Sequence, residues 1–294
     1  MTREDLEKMV LSKLSLPLAE SIRNAVPWFR EIPEEIHIRL NKAVVLTVAG
    51  KNRVLSRICT EEDMQRSLQL LCDHSLYSQI ETIREGFIST SDGLRIGVCG
   101  RAVVENGKVT VVRDISSLCI RLPHRYPDSV AEIYEVLAGN SFRDSILVYA
   151  APGKGKTTVL RELALRLANP PKPNRVVVID TRYELGSILA EAQMMDVLAG
   201  YPRNTGMEIA LRTMAPEYIV CDELASEEDR LALLRCAGCG VRLCASVHAG
   251  SLAELRHKTV LKDIGHLFQW YYGLDEEHRG TLIAADEVIY GTSC

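Results

Sequence analysis

Leu147–Thr158 reads LVYAAPGKGKTT: an apolar run that breaks into Ala-Pro-Gly, sets two lysines around two glycines and ends in paired threonines. The start has the character of a buried strand, and the end that of the first turn of a helix. Between them lies chain with little side-chain bulk and much exposed backbone, which suits a loop that wraps an anion in its own N–H groups. Written as A-x-x-x-x-G-K-T from Ala150, the stretch matches the phosphate-binding loop and stands where that loop must stand, between strand and helix. Ala151, Pro152, Gly153, Lys154 and Gly155 are then expected to form the cradle. Lys156 would reach the β and γ oxygens of a nucleotide, the Thr157 hydroxyl would ligate Mg2+, and Thr158 would bond the α-phosphate. ATP with Mg2+ is the expected ligand.

A phosphate loop needs a second acid to complete its metal site. YIVCDE at Tyr218–Glu223 supplies an apolar strand ending in two acids. Asp222 at the strand tip would hold Mg2+ through water, and Glu223 would polarise the attacking water. VVVIDTRYELGS places Asp180, Arg182 and Glu184 just beyond another strand, and CASVHAGS places Ser246 and His248 just beyond a third. In an open parallel sheet, residues past the carboxyl ends of the strands face the ligand crevice. Glu184 is therefore a candidate to orient metal or water, and His248 to sense the γ-phosphate. Arg212, in IALRTMAPEYIV, is a candidate charge partner on a helix.

Outward from these motifs, the chain from about Ser145 alternates strands with helices. ILVYA leads to a helix over Lys156–Ala168, stopped by Asn169, Pro170 and Pro171. RVVVID, YIVCD and VRLCASV are continuous apolar strands, and MEIALRTMA and SEEDRLALLRCAG are helices between them. Such strands imply a parallel sheet covered on both faces. The first 120 or so residues follow another style. EEIHIRL alternates as a half-buried strand, Thr60 with Asp63 caps a helix, GFIST, LRIGVCGRAVV and KVTVVRD read as strands, and Asn106-Gly107 is a hairpin turn. Pro17 interrupts two short helices at the start. The expected organisation is an α+β domain over residues 1–122, a linker with one helix over 123–144, and an α/β, RecA-like phosphate-loop domain over 145–294.

Bulk properties agree with a globular chain. Its 294 residues are 47% hydrophobic, enough for one large or two ordinary cores. A net charge of −4 argues against a protein whose main business is coating nucleic acid, and leaves room for a local basic patch. No apolar run reaches the roughly 18–20 residues of a membrane helix, and MTREDLEKMV lacks the apolar core of a signal peptide. A cytoplasmic chain with no membrane span is expected, and nine scattered cysteines suit reduced thiols. Cys236, Cys239, Cys244 and His248 have zinc-like spacing, but a helix end and an apolar strand are poor places to gather ligands. Phe268, Trp270, Tyr271 and Tyr272 read as a core strand rather than a stacking platform.

APGKGKTTVLRELA, VVVIDTRYELGS, GMEIALRTMAPEYIVCDEL and SVHAGS, in that order, resemble the nucleotide motifs of the stage III sporulation protein AA family. EEIHIRL, HSLYSQIETIREGFIST, LRIGVCGRAV and ISSLCIRLP resemble that family's N-terminal domain, so the resemblance runs nearly end to end. The family is similar in its second half to the hexameric ATPases of type II and type IV secretion. The resemblance implies an ATPase on the mother-cell side of a membrane-embedded sporulation channel facing the forespore, peripheral to the membrane. It also implies a homo-oligomeric ring, hexameric by analogy, with an arginine from a neighbour's N-terminal domain completing each site; Arg101 and Arg121 are the candidates. Ala150 replaces the usual first glycine, and ELASEED lacks the arginine that secretion ATPases often place beyond their acid. These departures imply slow or partner-dependent turnover. The other readings are a nucleotide-gated scaffold with little turnover and a DNA-dependent phosphate-loop ATPase.

Overall fold

A computed structural model describes residues 3–26, 32–73, 75–90, 94–122, 126–185 and 192–290. The chain forms two compact units, Met1–His124 and Arg125–Cys294.

The first unit opens with helices α1 (Arg3–Met9) and α2 (Leu16–Ala25). Pro17 lies in the first turn of α2, where its missing N–H costs nothing, so it starts the second helix rather than only ending the first. Strands β1 (Glu35–Arg39), β2 (Ala43–Val48) and β3 (Lys51–Ile58) follow, then helices α3 (Glu61–Leu71) and α4 (Ile80–Arg84). Strands β4 (Phe87–Ser89), β5 (Arg95–Glu105) and β6 (Lys108–Arg121) complete an antiparallel sheet in the order β3-β2-β1-β6-β5-β4. Alternation decides its faces: Ile36, Ile38, Leu46, Leu118, Ile120 and Ile96 are wholly buried in one core with Leu18 and Ile22 of α2. Asn106 and Gly107 join β5 to β6 with φ of 51° and 74°, the left-handed pair that a two-residue hairpin requires.

Thr60 and Asp63 form a complete capping box at the start of α3. Asp63 does more than cap: buried, it also accepts the Ser15 hydroxyl at 2.7 Å and an Arg57 guanidinium N–H at 2.5 Å. Burial pushes its carboxyl up, but hydrogen bonds from Ser15, the Thr60 backbone, Arg57 and the Thr60 hydroxyl outweigh that and hold it below the usual carboxylate range.

The second unit begins with helix α5 (Ala131–Gly139), inside the segment expected as a linker; its Ile133 and Leu137 are fully buried in the unit's own core. Strand β7 (Ile146–Ala150) runs into helix α6 (Lys156–Ala168), which starts and stops where the sequence places it. Strands β8 (Val176–Asp180) and β9 (Met195–Ala199), helix α7 (Arg203–Thr213), strand β10 (Tyr218–Cys221), helix α8 (Glu227–Gly238), strand β11 (Arg242–His248) and helix α9 (Leu252–Arg256) follow. Strands β12 (Trp270–Leu274) and β13 (Gly280–Ala284) and helix α10 (Ala285–Tyr290) complete the unit. The sheet order is β13-β12-β7-β11-β10-β8-β9, parallel except for β13. Every residue of β7, β8 and β10 is buried, as strands covered on both faces must be. One face packs on α5 and α6, the other on α7 and α8. Tyr271 and Tyr272 fall on opposite faces of β12, and the Trp270 indole N–H donates to Asp144 at 3.0 Å, so these aromatics are core residues.

Two outcomes are expected from this packing. Asp63→Asn should lower unfolding free energy by about 2–4 kcal/mol, measured in urea. Because the folded-state carboxyl lies below the unfolded value of about 3.9, its stabilisation is present above that pH and is lost as pH falls through the folded value; the variant should show a flatter acid limb. Of the described cysteines, thiol labelling should find Cys99 and Cys239 first, since both are exposed. Cys221 and Cys236, whose thiols burial pushes up to about 12, should react only on unfolding.

Candidate functional site

The loop between β7 and α6 turns on two glycines. Gly153 (φ 76°) and Gly155 (φ 90°) sit in the left-handed region, and Gly155 is the N-cap of α6. The first N–H groups of any helix have no carbonyl of their own to meet, and here they open onto a cleft of about 240 Å³. Gly153, Gly155, Lys156 and Thr157 form one wall; Glu184, Asp222, Glu223 and His248 form the other.

Lys156 is only 5% exposed. Its ammonium donates to the carbonyls of Ala150 and Ala151, both at 3.0 Å, and to His248 Nδ1 at 2.8 Å. Burial pushes the ammonium below its ordinary value, while the Asp222 and Glu223 carboxylates draw it back up. Lys154 points elsewhere, pairing with Glu276 in the β12–β13 turn. That turn also brings His278 Nδ1 to 3.3 Å from the Lys154 carbonyl. Ala151 serves through its carbonyl, Pro152 is exposed at the loop surface, and Thr158 is half-buried in the first turn of α6.

Asp222 ties the two walls together. Its Oδ2 accepts the Thr157 hydroxyl at 2.7 Å and its Oδ1 accepts the Ser246 hydroxyl at 2.5 Å. Ser246 Oγ in turn accepts the Glu223 N–H at 3.0 Å. Thr157 and Asp222 thus present hard oxygen donors side by side, which fits Mg2+ and not a thiolate-seeking metal. Glu223 sits at φ 46°, rare for a residue with a side chain. Its Oε1 meets His248 Nε2 at 3.0 Å, and its Oε2 accepts from Arg182. Asp180 is buried and accepts the Glu184 and Leu185 N–H groups at 2.9 and 3.1 Å, shaping the turn that carries Arg182 and Glu184 to the cleft.

Arg212 is not brought to this site. In a parallel sheet the helices start at the carboxyl edge and end at the amino edge. Arg212 lies exposed in the last turn of α7, while Arg203 at its first residue lines a small cavity with Asp222 and Glu223. Among the described residues, Arg203 and Arg182 are arginines that this unit brings beside Asp222 and Glu223, and position relative to the strand ends is the signal for both. Arg101 and Arg121 are exposed on β5 and β6, near Asp114 (3.7 Å) and Glu35 (3.3 Å) respectively.

The cysteine spacing gathers no ligands: Cys236 and Cys244 enter the cores on opposite faces of the sheet, and Cys239 is exposed. Among the described residues, Glu35, His37 and Cys119 come close enough to share an ion. Arg39 and Arg121 contact His37 and Glu35, which is the wrong charge for the surroundings of a cation. Among the described residues no helix is long and apolar enough to cross a membrane.

Among solved structures, the Legionella pneumophila ATPase DotB aligns at a TM-score of 0.59 and 14% identity, covering 94% of this chain and 86% of that one. The pilus retraction motor PilT with bound ADP aligns at 0.62 and 13%, covering 92% and 85%. These likenesses show a shared α/β fold with a mostly parallel sheet. Uncharacterized protein ycf45 of Porphyra purpurea is 36% identical over 147 residues, 47% of this chain and 26% of that protein. Stage III sporulation protein AA of Bacillus subtilis (strain 168) is 33% identical over 269 residues, 86% of each chain. The family model described as "Sporulation stage III, protein AA" matches residues 4–288, and the chain belongs to that family.

Proposed function

We propose that this protein binds Mg2+-ATP in the cleft between α6 and the end of β10 and hydrolyses it, slowly or under the control of a partner. The observation that carries this reading is the Thr157–Asp222–Ser246–Glu223 chain of hydrogen bonds, which sets a metal-binding oxygen pair beside a carboxylate able to take a proton. In this reading Lys156 exchanges its two backbone carbonyls for phosphate oxygens, since a charged acceptor makes the stronger bond. Thr157 and Asp222 hold Mg2+, which when bound neutralises charge on the β and γ oxygens. Glu223 accepts a proton from the attacking water, through a lone pair left open beside His248 or Arg182 or freed when one of them moves away. Glu184 and His248 complete the polar wall around the γ-phosphate.

The same proposal places the protein in a ring of identical subunits, peripheral to the membrane on the mother-cell side. There it would serve the membrane-embedded channel that faces the forespore. Arg101 or Arg121 of a neighbouring copy would complete each site, and an added arginine can be worth about 10³–10⁵ in rate. A scaffold that binds ATP with little turnover has one observation in its favour: both Glu223 carboxylate oxygens are engaged.

The readings separate in one assay of ATP hydrolysis across protein concentrations. Wild-type turnover per subunit should rise with concentration as sites are completed. Glu223→Gln should bind nucleotide within about two-fold of wild type while kcat falls about 10²–10⁴-fold. Lys156→Ala should lose nucleotide binding itself. Equal turnover in wild type and Glu223→Gln would move the protein to the scaffold reading.

A further inference from the structure

Glu223 is the last residue but three of a short loop, Asp222–Ser226, that leaves β10 and enters α8. The front of the loop is held by Ser246: its hydroxyl accepts the Glu223 N–H, and its carbonyl accepts the Leu224 N–H at 2.7 Å. The back is held by one carboxylate oxygen. Asp229 Oδ2 accepts the N–H groups of Ala225 and Ser226, both at 3.0 Å, and the Arg203 guanidinium at 2.6 Å. Arg203 and Asp229 have side chains only 13% and 7% exposed. Burial pushes the Asp229 carboxyl up, but the Ala225 N–H and the Arg203 guanidinium outweigh it and keep the group charged.

This pair does more than the capping box at α8 requires. A capping box is complete with Ser226 and Asp229 alone; Asp63 at α3 also meets an arginine, but the Arg57 side chain is 34% exposed where that of Arg203 is 13% exposed. Adding a buried arginine from α7 brings a desolvation cost that cap geometry does not call for. What the arginine adds is direction. It comes from the first residue of α7, at the carboxyl edge of the sheet, and it fixes Asp229 Oδ2 toward the two loop amides. Arg203 also lines the small cavity shared with Asp222 and Glu223. Between the two anchors, Glu223 is left at φ 46°, a backbone state that persists only where both sides impose it.

We infer that the buried Arg203–Asp229 pair is the positioning element for Glu223, holding the loop so that this carboxylate faces the phosphate cleft. The inference rests on the hydrolytic reading above, and its test separates the two. In the full-length protein, Arg203→Met should lower kcat by about ten- to a hundred-fold, as loss of a supporting partner does at other sites, with Mg2+-ADP affinity within about two-fold. Arg203→Lys, which keeps the charge and loses the fork, should recover part of kcat. Hydrogen exchange reads the position without activity: the Leu224, Ala225 and Ser226 amides should exchange at least about ten times faster in Arg203→Met. Those of β11 should be unchanged, which also reports that the variant is folded. If β11 also loses protection in Arg203→Met, the comparison is carried by Arg203→Lys. Unchanged loop amides, or kcat and ADP affinity falling together, would overturn the inference. Wild-type protein without turnover would overturn the hydrolytic reading alone, and the exchange result would still decide the clamp.

Discussion

The two hydroxyls on Asp222 join three separate parts of the chain. Thr157 comes from α6, Ser246 from β11 and Asp222 from the end of β10, and the three meet because β11 lies between β7 and β10 in parallel register. His248 pairs with Ala150, and Ala245 with Cys221, so the loops beyond these strands leave the sheet side by side. A slip of one residue in β11 would send Ser246 to the other face. The hydrogen bonds to Asp222 are charge-assisted, about twice as strong as neutral ones, so the acid also locks the register that created it.

Around this anchor the polar side chains form a continuous chain of contacts. Lys156 meets His248, His248 meets Glu223, and Glu223 meets Arg182. Lys156 is buried and would be costly alone, but its carbonyl partners, with Asp222 and Glu223 nearby, offset the loss of water. The Lys156 ammonium is therefore already held in place. In the proposed function an entering phosphate would exchange partners with Lys156 instead of ordering a free side chain, which would lower the entropic cost of binding.

Much of this was legible because the signals were local. The phosphate loop, the start and end of α6, the apolar strands β7, β8 and β10 and the capping box at Thr60 each depend on residues within a few positions of one another. The alternating strands of the first unit were legible for the same reason. Strand β9 was not: it is an edge strand with mixed exposure, so it has neither alternation nor a continuous apolar run. Arg203 has no motif of its own, and only its place at the first residue of α7, against the last turn for Arg212, sets the two apart. The Asp63 cluster with Ser15 and Arg57, and the second role of Asp229, join residues far apart in sequence and have no local pattern to betray them.

The loop at Glu223 combines a fixed backbone with a side chain that can change partners. Its φ costs on the order of 1–3 kcal/mol, offset by the bonds from Ser246 and Asp229 on either side. The carboxylate itself is 23% exposed, and its partners are an arginine 58% exposed and a histidine 37% exposed. Contacts this open are weak compared with the buried pair behind them, because water screens them. The buried Arg203–Asp229 pair resists rearrangement, since breaking it would leave a charge without a partner. An acid with the proton-accepting role proposed for Glu223 would need this division: strong bonds to the main chain and exchangeable ones to the carboxylate.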